Sequence, residues 1–135
     1  MKNLSNFYIS GQWVNPISEA SMPVLNPATE EQIGTVALGN SADVDSAVAA
    51  AKSAFDSFSL TSKADRLALL KALKAVTEKR FEDLAQAMRI EMGAPISMAR
   101  DAQADAAIGH LIGFIEALET LEERCVLSNS DILIR

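Results

Sequence analysis

The sequence predicts a mainly α-helical fold with β-hairpins at its N-terminus and four helices. Before residue 40, short apolar runs are broken by Gly, Asn and Pro, a pattern typical of strands and turns. From residue 41 onward, apolar residues recur at steps of three and four, which is the period of an α-helix. We therefore divide the 135 residues into a β-hairpin and wrapping segment (1–40), a helical part (41–127) and a terminal strand-like tail (128–135). Together they form one domain or partial domain.

Two strand-turn-strand units are expected in the first segment. The run FYISGQWV (7–14) places apolar residues on both sides of Ser10-Gly11, and Gly11 can adopt the positive φ of a tight hairpin turn. The run MPVL (22–25) precedes NPATEE (26–31), in which Asn-Pro marks a turn, and IGTVALG (33–39) then gives another strand.

The first two helices should begin at side-chain caps. We expect the first helix over 42–58, with Ser41 as its N-cap and Asp43 in its first turn. The second should begin after Thr61-Ser62, with Asp65 completing a capping box, and end near residues 79–80. The residues expected to point inward are Val44, Val48, Ala51, Phe55 and Phe58 on the first helix and Leu69, Leu70, Leu73 and Val76 on the second.

The third and fourth helices should meet at Gly93. Gly93 can take the left-handed conformation that ends a helix, and Pro95 suits the first turn of the next one. The apolar stripe of the third helix contains Phe81, Leu84, Met88 and Met92. The fourth and longest helix has one stripe of Ala107, Leu111, Phe114, Leu118 and Leu121 and another of Ala99, Gln103, Ala106, His110, Gly113 and Ala117. Two stripes predict a helix covered on more than one side.

The tail SNSDILIR (128–135) predicts a polar turn followed by a final strand, for which no partner follows in the sequence.

Composition excludes several classes of function. The chain has 12 Lys+Arg and 18 Asp+Glu, a formal charge of −6, and no basic block, so nucleic acid and anionic membranes are poor partners. No signal peptide or membrane-spanning run is apparent. One cysteine, Cys125, cannot form an internal disulfide, which fits the cytoplasm.

The residues do not supply a complete catalytic apparatus, so we assign no catalytic and no cofactor-binding residue. One His and one Cys are too few for a zinc site. His110 is interpreted as a packing residue in preference to a catalytic base, and Cys125 as structural, because the adjacent acids disfavour a thiolate. The pairs Glu30-Glu31 and Glu122-Glu123 are interpreted as solvated surface. Glycine-rich phosphate loops and the G-x-S-x-G motif are missing from the sequence.

Several motifs nevertheless occur in a familiar order. NPATEE-x-I-G-x-V, then D-V-D-x-A-V-x-A-A-K-x-A-F, then L-x-x-x-E-M-G-x-P resemble the N-terminal segment of the aldehyde dehydrogenase superfamily, and the likeness runs from about residue 7 to the C-terminus. In that family the early strands and helices pack along an α/β nucleotide-binding domain. The resemblance implies oxidation of an aldehyde to a carboxylate, with NAD or NADP accepting hydride from a thiohemiacetal on a catalytic cysteine.

The resemblance also implies what this chain lacks. The family's catalytic cysteine, general base and main dinucleotide-binding units lie beyond Arg135, so we expect an N-terminal fragment that binds no cofactor alone. Some members bind a monovalent cation at positions that correspond here to Leu25 and Gln103, although Gln103 is neutral where an acid is usual.

Three hypotheses follow. The first is an inactive N-terminal part of an aldehyde dehydrogenase, which self-associates as a dimer or larger through the face left without its covering domain. In this hypothesis only the full-length enzyme acts on an aldehyde. The second is a free-standing helical protein-interaction module derived from the family. The third, a small complete enzyme using His110 and Cys125, has the least support.

Overall fold

A computed structural model describes residues 2–122, 124–127 and 130–133, and within them it confirms the mainly helical fold with four helices. Three helices are continuous: α1 (Ser41–Phe58), α2 (Lys63–Lys79) and α3 (Phe81–Met92). The fourth, α4, consists of an α turn (Ile96–Met98), a π-helical segment (Ala99–Ala104) and a long α segment (Asp105–Thr120). The strands are β1 (Lys2–Leu4), β2 (Phe7–Ile9), β3 (Gln12–Val14), β4 (Ser21–Leu25), β5 (Gln32–Ala37), β6 (Arg124–Leu127) and β7 (Ser130–Leu133).

Both expected strand-turn-strand units are confirmed. β2 and β3 form an antiparallel hairpin whose turn residues, Ser10 and Gly11, have φ angles of 54° and 79°. Two positive φ angles are typical of the type I′ turn, which matches the twist of the flanking strands. β4 and β5 are antiparallel, and β1 adds in parallel to the other edge of β5.

The final strand has a partner that the sequence reading missed. β7 pairs antiparallel with β6, so that the backbone of Cys125 lies opposite that of Ile132. The prediction of an unpaired final strand is therefore wrong, because a strand can also pair with the chain that precedes it. Of the polar residues predicted to form a turn before Ile132, Ser130 and Asp131 belong to β7, and residues 128–129 lie outside the described residues.

The helix boundaries agree with prediction except for one cap. Asn40, and not Ser41, is the N-cap of α1, because the Asn40 Oδ1 atom accepts hydrogen bonds from the Ala42 and Asp43 backbone N–H groups at 2.9 and 3.2 Å. Ser62 and Asp65 form the expected capping box of α2. Gly93 ends α3 with a φ of 71°, as predicted.

The buried core is small and lies where α3 meets the start of α4. Its fully buried members are Ala85, Ala99 and Ala104, and the half-buried apolar residues around them are Phe81, Leu84, Met88, Ala94 and Ile96. Alanine side chains allow two helices to approach closely, so this contact orients α3 and α4 tightly with little apolar volume.

Most of the predicted inward faces are exposed in this chain. On α2, Leu70 is half-buried, but Leu69, Leu73 and Val76 are exposed; on α1, Val44, Val48, Ala51, Phe55 and Phe58 are all exposed. On α3, Met92 is exposed. On α4 the exposed members of the two stripes are Ala106, His110, Gly113, Phe114, Ala117 and Leu121. The prediction that α4 is covered on more than one side is therefore wrong for its C-terminal half, because periodicity shows which residues share a face but not whether the chain supplies a cover.

α2 packs along the C-terminal half of α4 and is fastened at its end. The Lys63 Nζ atom donates to the backbone oxygens of Glu119 and Leu121 at 3.0 and 2.8 Å, which satisfies carbonyls at the end of α4. Lys71 Nζ forms an ion pair with Glu119 at 2.7 Å.

α1 is held to the N-terminal segment by Asp43. The Asp43 carboxylate accepts a hydrogen bond from the Ile17 N–H at 2.8 Å and another from the Asn40 N–H at 2.9 Å, and the residue is only 6% exposed. These two backbone donors, that of Ile17 foremost, lower the pKa of Asp43 below its usual 3.8.

We expect Asp43→Asn to lower the free energy of unfolding at neutral pH. A lowered pKa means that the ionised carboxylate stabilises the fold above about pH 4, and that this contribution is lost as the pH falls through the folded-state pKa. Urea unfolding at a series of pH values should therefore show a weaker loss of stability in acid for Asp43→Asn than for the unmodified chain. Asp56→Asn, at an exposed position on the same helix, is the matched control. Identical pH dependence in Asp43→Asn and the unmodified chain would contradict the assignment.

Candidate functional site

The turn between β4 and β5 lies against the end of α3. A Cβ atom built on Gly93 would lie 2.8 Å from Pro27 Cγ and 3.8 Å from the Ala28 backbone nitrogen. The turn is closed by a hydrogen bond from the Asn26 N–H to the Glu31 oxygen at 2.9 Å, and Asn26 Oδ1 accepts from the Ala28 N–H at 2.9 Å. Glycine at position 93 therefore permits both the left-handed φ that ends α3 and the close approach of the β4–β5 turn.

A cavity of about 290 Å³ lies at this junction. It is lined by Asn26, Ala28, Thr29, Arg89, Ile90, Gly93 and Ala94. Arg89 is the one ionisable side chain among these lining residues, and they contain no acid, histidine or cysteine. The cavity could hold a small polar group, but this lining does not supply a nucleophile with a base.

A second cavity, of about 470 Å³, lies beside the N-terminal sheet. Its lining residues are Ser5, Asn15, Pro16, Ser18, Glu19, Ala20, Ser21, Thr35 and Ala37. Glu19 is the one ionisable group in this lining, and a carboxylate repels phosphates. The parallel strands β1 and β5 are separated in the chain by further strands and not by a helix, so they do not form a βαβ unit. The described residues therefore do not fit a dinucleotide cofactor.

The two positions of the expected cation site stay a prediction. Leu25 ends β4 at a register shift, and Gln103 lies in the π-helical segment with its Oε1 atom buried and without a hydrogen-bond partner among the described residues. An unpaired amide oxygen is a chemically suitable oxygen ligand for a cation. The described hydrogen bonds, however, do not join Gln103 to Leu25, and the part of the chain that the structure describes contains no cluster of three or more His, Cys, Asp or Glu side chains suited to a metal.

The other singled-out side chains are not brought together. His110 is exposed on α4, so its interpretation as a packing residue is wrong for this chain. Glu30, Glu31 and Glu122 are exposed, as expected of solvated surface, and Glu123 lies outside the described residues. Cys125 lies on β6, and its side chain is outside what the structure describes.

A bidentate ion pair links α3 to the π-helical segment. The Arg100 guanidinium donates to both Glu82 carboxylate oxygens at 2.9 and 2.7 Å, and Gln86 Nε2 donates to Glu82 Oε1 at 2.7 Å. The hydrogen bonds from Arg100 and then from Gln86 lower the pKa of Glu82 to about 2. Sequence reasoning missed this pair because its members are 18 residues apart on different helices.

The most prominent feature of the molecule is apolar surface. The chain exposes 10035 Å², whereas a compact monomer of 14.5 kDa exposes about 6,900 Å². Large exposed apolar side chains lie on the hairpin (Tyr8, Trp13), α1 (Val44, Val48, Phe55, Phe58), α2 (Leu69, Leu73, Val76) and α4 (Ile112, Phe114). Surface of this kind and extent marks sites of protein contact. Among the described residues, no helix combines the length and the apolar character needed to cross a bilayer.

Comparison with known proteins gives a consistent result. The model of the Aldehyde dehydrogenase family matches residues 13–134. A 3-succinoylsemialdehyde-pyridine dehydrogenase from a Pseudomonas species is 43% identical over 113 residues, which are 83% of this chain and 24% of that protein. A protein described as a putative aldehyde dehydrogenase from Staphylococcus aureus is 41% identical over 122 residues, 90% of this chain and 26% of its own length.

Solved structures match the fold closely. An aldehyde dehydrogenase from Bartonella henselae superposes with a TM-score of 0.93 at 36% identity, over 96% of this chain and 27% of that one. A mutant of aldehyde dehydrogenase C from Pseudomonas syringae, solved with NAD+ and octanal, superposes with a TM-score of 0.92 at 42% identity and the same coverage. The chain thus spans about a quarter of the length of the relatives it matches, in their N-terminal segment.

Gly93→Ala should destabilise the chain, because alanine at a φ of 71° is strained and its Cβ would meet the Pro27 ring. We expect a loss of about 2 kcal/mol in the free energy of unfolding. Gly109→Ala is the control, because Gly109 is helical with nothing within 4 Å of an added Cβ, and it should stabilise α4 by up to about 1 kcal/mol. Urea unfolding measures both, and equal effects of the two substitutions would refute the role of Gly93.

Protonation of Glu82 should break the ion pair between α3 and the π-helical segment. Because the pKa of Glu82 is lowered from 4.5 to about 2, the Arg100 pair stabilises the fold above pH 4.5 and is lost between there and pH 2. The carboxyl carbon resonance of Glu82 should titrate in that lower range in an NMR experiment. In Arg100→Gln the midpoint should return toward 4.5, whereas Lys71→Gln, which removes the separate Lys71–Glu119 ion pair, should leave it unchanged. A Glu82 midpoint near 4.5 in the unmodified chain would show that the pair does not form in solution.

Proposed function

Since the chain belongs to the aldehyde dehydrogenase family, we propose that it is the N-terminal segment of an NAD(P)-dependent enzyme that oxidises an aldehyde to a carboxylate, and that it is inactive alone. The observation that carries this proposal is the family match over residues 13–134 by a chain only about a quarter as long as its relatives. The exposed apolar faces of α1, α2 and α4 support it, because a segment evolved to pack on further protein would leave such faces open.

The chemistry of the parent reaction supports inactivity. Oxidation through a thiohemiacetal requires a thiolate nucleophile, a base for the deacylating water, an oxyanion donor and a bound nicotinamide. Neither described cavity brings such groups together, and neither fits a dinucleotide. The role we propose for this chain is structural. The α3–α4 core would hold the apolar faces of α1, α2 and α4 in position to pack against the rest of the enzyme.

The substrate class rests on relatives alone. The Pseudomonas relative is named for a semialdehyde, and the Pseudomonas syringae structure contains octanal and NAD+. These two aldehydes differ greatly in polarity, so they support an aldehyde substrate for the parent enzyme without selecting one.

A second candidate is a free-standing helical interaction module derived from the family. The same exposed α1 and α2 faces favour it, because they would suit a helical partner as well as the remainder of an enzyme. The two proposals differ in the partner that they require.

The first test is cofactor binding by the purified chain. Calorimetric titration with NAD+ and with NADP+ should give no binding heat, and absorbance at 340 nm should not rise when octanal and either cofactor are added. Micromolar binding of either cofactor would overturn the proposal, because it would require a nucleotide site within these 135 residues.

The second test supplies the missing part. The Pseudomonas syringae protein without the quarter that matches this chain should form a one-to-one complex with this chain when the two are co-expressed, because the two segments superpose with a TM-score of 0.92. The full-length Pseudomonas syringae protein, whose own segment already fills the position, is the control and should not bind. The truncated protein must first be shown to bind its own N-terminal quarter. If it binds that quarter but does not bind this chain, the result would favour the second proposal, the free-standing interaction module.

A further inference from the structure

We infer that α1 pairs antiparallel with α1 of a second copy of this chain, so that the purified chain forms a two-fold symmetric dimer. This inference concerns the chain as an isolated molecule and does not depend on the reaction of the parent enzyme. It assigns the exposed apolar face of α1 as an interface, and the molecule that covers this face is a second copy of the same chain.

The apolar stripe of α1 has the spacing of a coiled-coil seam. Val44, Val48, Ala51 and Phe55 follow one another at steps of four, three and four. Steps that alternate between four and three keep a seam facing a second helix, whereas a helix that packs on a broad core carries a wider stripe. The large apolar side chains of α1 therefore lie along one seam, with only the small side chains of Ala47 and Ala54 beside it, and this arrangement allows a partner helix to approach closely.

The seam is open in this chain. Val48 is 45% and Phe55 is 66% exposed, and Asp43 is the one buried residue of α1. Asp43 anchors the first turn to Ile17, and Gly39, just before the helix, lies against the Phe7 ring. α1 is thus anchored at its N-terminal end by Asp43 and at its C-terminal end by Arg66 of α2, whose guanidinium lies 5.8 Å from the Phe58 ring centroid and donates to the Ser59 oxygen at 3.1 Å. The seam residues lie exposed between these two anchors.

The antiparallel arrangement matches large side chains with small ones. If Val48 of one copy lies opposite Ala51 of the second copy, then Val44 lies opposite Phe55 at both ends of the seam. Each layer then pairs a larger residue with a smaller one, which favours interdigitation. A parallel pair would instead stack Phe55 on Phe55 and Ala51 on Ala51, leaving a gap at the alanines.

The charges beside the seam fit the same register. Asp45 and Lys52 are the charged residues that immediately follow seam positions Val44 and Ala51. In the antiparallel register given above, Asp45 of one copy lies within one helical turn of Lys52 of the second copy, and two-fold symmetry repeats the pair. In a parallel pair the positions of Asp45 and Lys52 would face Asn40, Ala47 and Ala54 of the second copy, which carry no charge, so these charge pairs form only in the antiparallel dimer.

The excess surface of the whole chain, which is spread over several elements, is larger than the area that a standard interface takes. The chain exposes about 3,000 Å² more than a compact monomer of its mass, whereas a standard interface takes about 800 Å² from each partner. The net charge of −6 opposes association at long range, so the dimer should tighten as salt is added until the Asp45–Lys52 pairs are screened as well.

The first experiment measures the mass of the chain in solution. Sedimentation velocity over concentrations up to about 1 mM should show a reversible monomer–dimer equilibrium. Val48→Glu, at the centre of the seam, should weaken dimerisation at least tenfold, whereas Leu73→Glu on α2 should leave it unchanged, although Leu73 is just as exposed at 50%. Circular dichroism on each variant checks that helix content is retained. A monomer at all concentrations, or equal loss in the two variants, would overturn the inference.

The second experiment tests whether the two α1 helices run antiparallel, and it leaves the apolar residues of the seam unchanged. Asp45→Lys alone places four lysines at the two charge pairs, and Lys52→Asp alone places four aspartates there, so each should weaken the dimer about tenfold. The double variant Asp45→Lys with Lys52→Asp restores opposite charges and should recover the affinity of the unmodified chain. Additive loss in the double variant would overturn the antiparallel register.

A displacement experiment tests whether the α1 seam is covered by a second copy of this chain or by another protein. The truncated Pseudomonas syringae protein would compete for the same face if it binds this chain over α1. Its addition should then convert dimers of the chain into one-to-one complexes. A heterogeneous assembly larger than a dimer in the unmodified chain would overturn the inference.

Discussion

The structure of this chain is governed by apolar surface that the chain does not bury by itself. Among the residues whose burial the structure describes, the fully buried apolar core consists of three alanines, and large apolar side chains on α1, α2, α4 and the hairpin remain in contact with water. Burial of apolar area contributes roughly 25 cal/mol per Å². The apolar part of the excess total surface, which is about 3,000 Å² over all atoms, therefore favours association. Helix capping, ion pairs and turn geometry define the elements, and the proposed contacts with further protein would supply the missing burial.

The part of the molecule that is organised internally is the elbow between α3 and α4. Alanines at its centre let the two helices approach, Gly93 lets the chain turn against Pro27, and Arg100 fastens the π-helical segment to Glu82. A π-helical segment is rare in proteins and frequently marks a functional position. Here it carries Gln103, whose buried Oε1 atom has no hydrogen-bond partner among the described residues. Such an atom destabilises a fold unless a donor or a cation satisfies it.

The sequence predicted the elements well and their surroundings poorly, for a physical reason. Turns and caps depend on neighbours within a few residues, so Ser10-Gly11, the Ser62 and Asp65 capping box and Gly93 could be identified directly. The one-residue error at Ser41 arose because Asn40 and Ser41 are both good N-caps and only the observed hydrogen bonds distinguish them. Burial depends on what lies across from a helix, and periodicity does not report whether that cover belongs to the chain. The Glu82–Arg100 pair and the partner of β7 likewise depend on distance in space and leave no local signal.

Hydrogen exchange measured residue by residue would test most directly whether α1 lacks a cover within this chain. In dilute solution, where the chain is monomeric, amides of α3 and the adjoining start of α4 should exchange slowly, and those of α1 beyond its Asp43-anchored first turn should exchange orders of magnitude faster. Raising the protein concentration should slow exchange in α1 and leave the α3–α4 elbow nearly unchanged. Uniformly slow exchange along α1 at high dilution would contradict the account, because it would mean that this chain covers its own apolar face.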